Sequence, residues 1–199
     1  MGLGRVLRSV WHVLPVAPTL YVYHHGQASP VISLLVMTIA WSLGEAYRLT
    51  HPTVNARLLA FAGSGLRSAE ARWPTGTFFY LWGVTCTLCC FSLDAAVAGL
   101  LCLQFADPAA AVVGGALGRW RGPSLRSGKS VGGFVTAWIV ASLVVLCHAA
   151  YLRNGREGNL WAAPPIGLCA ALAESFGPID DNFALPLASA ACASAFLLR

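Results

Sequence analysis

The sequence predicts an all-α integral membrane protein, a bundle of about seven transmembrane helices with a broken fourth helix and a polar cleft facing the cytosol. Two observations predict it. Of 199 residues, 57% are hydrophobic and only 11% charged, with a mean hydropathy of +0.65, whereas a soluble domain carries about 25% charged residues. The apolar residues also come in runs near the ~20 residues that cross a hydrocarbon core as a helix, whose backbone groups bond internally. The length fits one domain, residues 1–199, and leaves no room for a second, soluble one. The net charge of +5 reports topology in such a chain, and no nucleic-acid partner is expected.

The spans follow in order. Residues 9–25 come after Arg5 and Arg8 and contain Pro15 and Pro18. No clean small-residue cleavage site follows them, so this run does not read as a cleavable signal. Residues 30–49 form the second span. Residues 50–74 are too polar to cross. Val54, Leu58, Leu59 and Phe61 give them a weak apolar face beside Arg57 and Arg67, which suits a segment lying at the interface. The third span covers 75–92 and the fourth 93–118, interrupted at Asp107-Pro108. Residues 119–130 make a basic Gly/Ser/Pro-rich loop, 131–151 the fifth span, 153–159 a polar turn, and 160–178 and 183–198 the last two.

Orientation follows from the loops. A cytosolic N-terminus puts Arg5, Arg8, Arg48, Arg57, Arg67, Arg72, Arg119, Arg121, Arg126 and Lys129 on the cytosolic side. Only Arg153, Arg156 and Arg199 fall opposite, as the positive-inside preference requires. Glu45, Glu70, Asp107, Glu174, Asp180 and Asp181 fall on or near that side too, leaving Asp94 and Glu157 elsewhere. Charge bias in loops does not explain acids. A cytosol-facing site mixing carboxylates for a divalent metal with cations for phosphate oxygens does.

The strongest single signal is Asp107-Pro108-Ala109-Ala110-Ala111, followed by Gly114, Gly115 and Gly118. An ionisable residue inside an apolar span is costly and marks a functional site by default. Asp suits an N-cap and Pro a first helical turn. The expectation is a half-helix beginning inside the protein, its free N–H groups facing phosphate, against the alternative of a kinked span with a packing face. The loop from Arg119 to Lys129-Ser130 resembles a phosphate-contacting segment. It does not match a Walker A loop, because Gly128-Lys129-Ser130 lacks the earlier glycine. Glu174, then Asp180-Asp181-Asn182 and Pro186, make a second acidic cluster at a helix junction. Arg8 with His12, and Glu45 with Arg48, stand one turn apart at span ends; for the Glu–Arg pair a helix-end salt bridge is the plain alternative. Cys86, Cys89, Cys90, Cys102, Cys147, Cys169 and Cys192 lie in apolar runs and read as small packing residues rather than a disulfide or metal framework.

These elements together resemble the polyprenol/diacylglycerol kinase group of membrane enzymes, relatives of the CDP-diacylglycerol synthases. Along nearly the whole chain the matching elements run in order: Arg8 with His12, Glu45 with Arg48, and Glu70 with Thr75-Gly76. Asp107-Pro108-Ala109-Ala110 with Gly114 and Gly118 comes next, then Lys129-Ser130 with Gly133, Glu174, and Asp181-Asn182 with Pro186. Tyr47-Arg48-Leu49-x-x-Pro52-x-x-Asn55 and Asp180-Asp181-Asn182-Phe183 look most like the CTP-dependent diacylglycerol kinase branch, with phytol and dolichol kinases as neighbours. Ser9, Gly115, Gly132 and Phe134 depart from the group's pattern, removing two cations and a hydroxyl, which puts nucleotide affinity in doubt.

The resemblance implies transfer of the terminal phosphate of CTP to a lipid hydroxyl, diacylglycerol before an isoprenoid alcohol, with Mg²⁺ or another divalent metal. It implies Asp107, Lys129 and Asp181 as catalytic and Asp107, Glu174 and Asp181 as metal ligands. The implied nucleotide contacts are Arg8, His12, Glu45, Arg48, Gly114, Gly118, Arg119, Ser130 and Asn182. It places the protein in the endoplasmic reticulum membrane of a eukaryote or the cytoplasmic membrane of a bacterium. A cytidylyltransferase is the first rival, weakened by the missing long signature of those enzymes. A non-enzymatic transporter is the second, weakened because the polar residues gather on one side.

Overall fold

Runs of Leu, Val, Ala and Phe without water to bond their backbone become helices. In the computed structural model, which describes residues 12–25, 28–62, 66, 68–116, 125, 128–152, 159–177 and 179–197, nearly everything is helical and no strand occurs among the described residues. The helices are α1 (Val16–His25), α2 (Ala28–Thr50), α3 (Pro52–Ala62), α4 (Gly76–Cys90), α5 (Leu93–Ala116), α6 (Val131–Cys147), α7 (Ala163–Phe176) and α8 (Asp181–Leu197). The protein is an all-α membrane protein. Helices occupy all seven expected span regions, and three of them, in α2, α5 and α6, are long and apolar enough to cross by length and composition alone; α4 and α7 are shorter apolar helices. The polar stretch after the second span forms α3, with Phe61 94% exposed and Leu58 exposed beside it, the outward apolar edge expected of an interfacial helix.

The span of α5 is 72% buried and is the hub; that of α2 is 11% buried and stands at the rim. α5 packs against α1, α6 and α8, α7 against α6 and α8, and α4 against α2 and α8. The contacts are made by small residues: Ala95, Ala96, Ala98, Cys102, Ala106 and Ala110 on α5 are all buried. Without a hydrophobic drive between helices in lipid, close backbone approach supplies the attraction. Gly83 shows it: a Cβ there would stand 3.0 Å from the Phe183 Cα, besides overlapping the Asn182 carbonyl oxygen. Thr38 and Thr85 hydroxyls bond across α2 and α4 at 2.8 Å, and the Trp82 indole donates to Ser42 Oγ at 3.0 Å.

Two expectations change. The fourth span is not broken: α5 runs unbroken through Pro108. An interior proline loses one backbone bond and costs about 3 kcal/mol, but packing on three sides of the hub helix offsets that. Asp107 is thus a mid-helix residue and not a cap, and there is no half-helix end here to offer free N–H groups to phosphate. The cysteines also divide. Cys102 packs inside, whereas Cys89, Cys90 and Cys147 are exposed on the helix surfaces, and no disulfide forms among the described residues. Cys89→Ala is therefore expected to leave expression, thermal stability and activity unchanged within measurement error.

Candidate active site

Because successive spans alternate direction, residues distant in sequence meet at one end of the bundle. Asp107 lies past the midpoint of α5, Glu174 near the end of α7, and Asp181 at the start of α8. One carboxylate oxygen from each lies within 4.8 Å of the others. Lys129 reaches into this group from the segment before α6. Its Nζ donates to Glu174 Oε1 at 2.7 Å, Asp181 Oδ2 at 2.8 Å and the Glu174 carbonyl oxygen at 2.5 Å. That last bond satisfies one of the orphan carbonyls of the α7 C-terminus.

Local chain geometry delivers the lysine. Gly128 has φ +82°, in the left-handed region that glycine tolerates best. The Gly128 N–H donates to the Leu125 carbonyl oxygen at 2.8 Å, and the Leu125 N–H donates to that of Lys129 at 2.6 Å. Ser130 then caps α6, its Oγ accepting from the Gly133 N–H at 3.1 Å. Burial works against the Lys129 charge, but the Asp181 and Glu174 carboxylates outweigh it and push the pKa above the ordinary lysine value. A raised pKa means that the stabilisation is fully present below the unfolded lysine's pKa and is lost only as pH climbs through the folded one. The ammonium thus holds throughout the neutral range.

On the other side of Asp107, His12 Nδ1 stands 3.7 Å from its Oδ2, and the His12 ring meets Tyr80 edge-on at 5.6 Å. His12 thus lies beside this group. Three carboxylates from three helices, with hard oxygen donors, suit a Mg²⁺-type ion, and the lysine supplies a cation beside them.

Other expected contacts are structural in this fold. Arg48 is 4% exposed and uses all five of its N–H donors. They go to Glu45 Oε2 twice, at 3.1 and 2.7 Å, to Asn55 Oδ1 at 2.8 Å, and to the carbonyl oxygens of Glu70 and Trp73 at 3.0 and 2.7 Å. Glu45 accepts further from the Thr75 N–H and hydroxyl at 3.1 and 3.0 Å, and Glu70 Oε1 accepts from the Gly76 N–H at 2.8 Å. Glu45 and Arg48 are therefore corrected from nucleotide contacts to a clamp tying α2, α3 and the start of α4. No donor on Arg48 is left for a phosphate. Arg48→Ala is expected to cost roughly 3–5 kcal/mol by stranding buried Glu45, seen as loss of monodisperse protein and a lower Tm rather than a raised KM for nucleotide.

Gly114 is likewise a packing position: a Cβ there would come 2.9 Å from Ser130 Oγ, so its role is to let α5 meet the start of α6, not to admit a ligand. Ser130 keeps its hydroxyl proton and a second lone pair to offer elsewhere. Asn182, 1% exposed, pins the start of α8, its Nδ2 donating to Asp180 Oδ1 at 2.7 Å and reaching the Gly76 carbonyl oxygen at 3.5 Å. In this fold Asn182 supports the chain beside Asp181. Arg8, Gly118 and Arg119, and the loop cations Arg121 and Arg126, lie outside the described residues. The sequence reading passed over Gln104 and Tyr80. Gln104 is fully buried one turn before Asp107 and donates to Thr19 Oγ1 at 2.7 Å; a lone amide in an apolar run, on the aspartate's own helix face, was the available signal.

No protein-family model and no solved structure matches the chain. Three curated proteins do, all named CTP-dependent diacylglycerol kinase 1. The one from Schizosaccharomyces pombe is 26% identical over 178 residues, covering 84% of this chain and 80% of its own. That from Saccharomyces cerevisiae is 26% identical over 205 residues, covering 92% and 70%. That from Eremothecium gossypii is 27% identical over 192 residues, covering 86% and 60%. Across most of its length, the chain is similar in sequence to curated CTP-dependent diacylglycerol kinases.

Proposed function

We propose that this protein is a CTP-dependent lipid kinase that moves the terminal phosphate of CTP to the free hydroxyl of diacylglycerol, giving phosphatidate and CDP. One observation carries the site: Asp107, Glu174 and Asp181 converge from three helices around Lys129, in a chain similar to enzymes with that name over most of its length.

In phosphoryl transfer the protein mainly positions groups and neutralises charge. Asp107, Glu174 and Asp181 would hold a divalent ion such as Mg²⁺. That ion, when bound, offsets the charge of the triphosphate. Lys129 leaves its carboxylate partners for a phosphate oxygen, a short movement for a side chain that is 33% exposed. The lipid oxygen forms a bond to the γ-phosphorus as the bond from that phosphorus to the β–γ bridging oxygen breaks. The hydroxyl proton passes to Asp107, with His12 beside it. Asn182 and the Glu45–Arg48 clamp keep α4 and α8 in register for this.

The excess of Arg and Lys in the loops on the same side of the membrane supports a cytosolic site. The compartment would be the endoplasmic reticulum membrane in a eukaryote or the cytoplasmic membrane in a bacterium.

The test uses purified protein in mixed micelles with diacylglycerol, Mg²⁺ and CTP labelled at the γ- or at the α-phosphate. Lipid label from the γ position alone is expected, and replacing diacylglycerol with phytol or dolichol should lower it. Label from the α position with phosphatidate present would make the protein a cytidylyltransferase instead. Label from neither would favour a transporter.

A further inference from the structure

Beside the carboxylate group lies a cavity of about 470 Å³ between α1, α2, α4 and α5, with a nearly all-apolar lining. Such a volume falls within the roughly 300–1,000 Å³ of small-molecule sites. On α4 the lining runs from Thr77 to Leu88. At 1.5 Å per residue that is about 16 Å along the helix axis, the depth of one leaflet of a ~30 Å hydrocarbon core. Its shallow end is the polar end of the bundle. Gln104 lines it one turn from Asp107, and Tyr80 lines it while touching His12, which faces Asp107. Its deep end is lined by Val22, Leu88 and Leu100.

The polar atoms at the shallow end point to the occupant. Gln104 Oε1 and the Tyr80 hydroxyl are buried and lie near each other, and neither makes a well-formed hydrogen bond to a third group among the described residues. Buried polar atoms are rarely left so, each costing about 1–3 kcal/mol. A ligand that is hydrocarbon along one leaflet depth and carries oxygen atoms at the headgroup end would satisfy both the lining and these two atoms.

We propose that this cavity is the acceptor site: it holds an acyl chain of diacylglycerol, with the ester and glycerol oxygens at Gln104 and Tyr80 and the free hydroxyl presented to Asp107. This rests on the lipid-kinase reading and adds to it where the acceptor binds and from which side it enters. The rim helix α2, with Leu34, Met37 and Trp41 on the cavity wall, is where the chain slides in from the bilayer. Gln104 and Tyr80 are positioning residues that set the depth of the glycerol.

The first arm of the test is photolabelling of the wild-type protein with diacylglycerol carrying a diazirine near one acyl terminus. Label is expected at the deep end of α2 and α4, between residues 30 and 34 and between 84 and 88. Excess unlabelled diacylglycerol should remove it; excess phosphatidylcholine should not. Label mainly on α6 or α7, or equal displacement by phosphatidylcholine, would overturn the proposal in favour of ordinary bilayer lipid. The second arm is kinetic. Val84→Trp fills the cavity, and Gln104→Leu keeps its volume but removes the amide. Each should raise the KM for diacylglycerol about tenfold, equivalent to losing the burial of roughly two methylenes, with the KM for CTP unchanged. Gln104→Leu should also weaken selection for acceptors with ester oxygens. Unchanged diacylglycerol KM in both variants would overturn the assignment. Label in the cavity without any transfer from CTP would sink the kinase reading and leave the lipid site standing; transfer with label elsewhere would do the reverse.

Discussion

Asp107→Asn is expected to lower lipid phosphorylation by at least about a hundredfold while the protein still inserts, purifies as a single species and melts at an unchanged or higher temperature. The two side chains have the same shape, so α5 keeps its packing. What disappears is one charge in a group where three carboxylate oxygens lie within 4.8 Å of one another. Crowded carboxylates repel, so neutralising one relieves the fold even as it removes an anionic ligand and the proton acceptor. Loss of a charge-stabilising group in phosphoryl or acyl transfer typically costs 10²–10³ in rate. The measurement is γ-label transfer beside a thermal melt of the same preparation. Retained activity with a normal melt would remove Asp107 from the site.

Lys129→Ala is expected to reduce turnover by roughly 10²–10³ as well, and to raise the KM for CTP. Its signature differs, because Lys129 has two jobs. It binds Glu174 and Asp181 at 2.7 and 2.8 Å and, in the proposed reaction, transfers to phosphate. Its removal leaves those carboxylates facing each other without their cation. Half-saturation by Mg²⁺ should therefore not worsen, and should improve, while nucleotide affinity falls. Worse Mg²⁺ dependence with normal CTP affinity would assign the lysine to holding the carboxylates alone. Lys129→Arg keeps the charge but places a broader group against two carboxylates, and is expected to recover stability more than rate.

The carboxylate cluster was readable in part because acids in a membrane chain are few. With eight Asp and Glu in 199 residues, each acid near a span invites a reason, and alternating span direction places Asp107, Glu174 and Asp181 at one end. Gly114 and Arg48 were harder. A glycine that opens space and an arginine at a helix end look alike in sequence whether they serve a ligand or another helix. Their neighbours decide: Ser130 across from Gly114, and five hydrogen bonds to acceptors on α2, α3 and the 70–73 segment around Arg48. Pro108 misled for a related reason. Propensity argues for a break, and a buried hub helix supplies packing that outweighs one lost backbone bond.

By itself the sequence determined the class of the protein, the placement of its helices and the end of the bundle where its charges gather, because these follow from composition, run length and chain direction. Only the tertiary structure decided which faces meet: that α5 is the continuous hub, that Lys129 lies between Glu174 and Asp181, that Arg48 is a clamp, and that Gln104 and Tyr80 edge a leaflet-deep cavity. The physical reason is that helices in lipid are apolar all round. No stripe in their sequence marks an inner face, and packing of small residues between distant segments sets it instead.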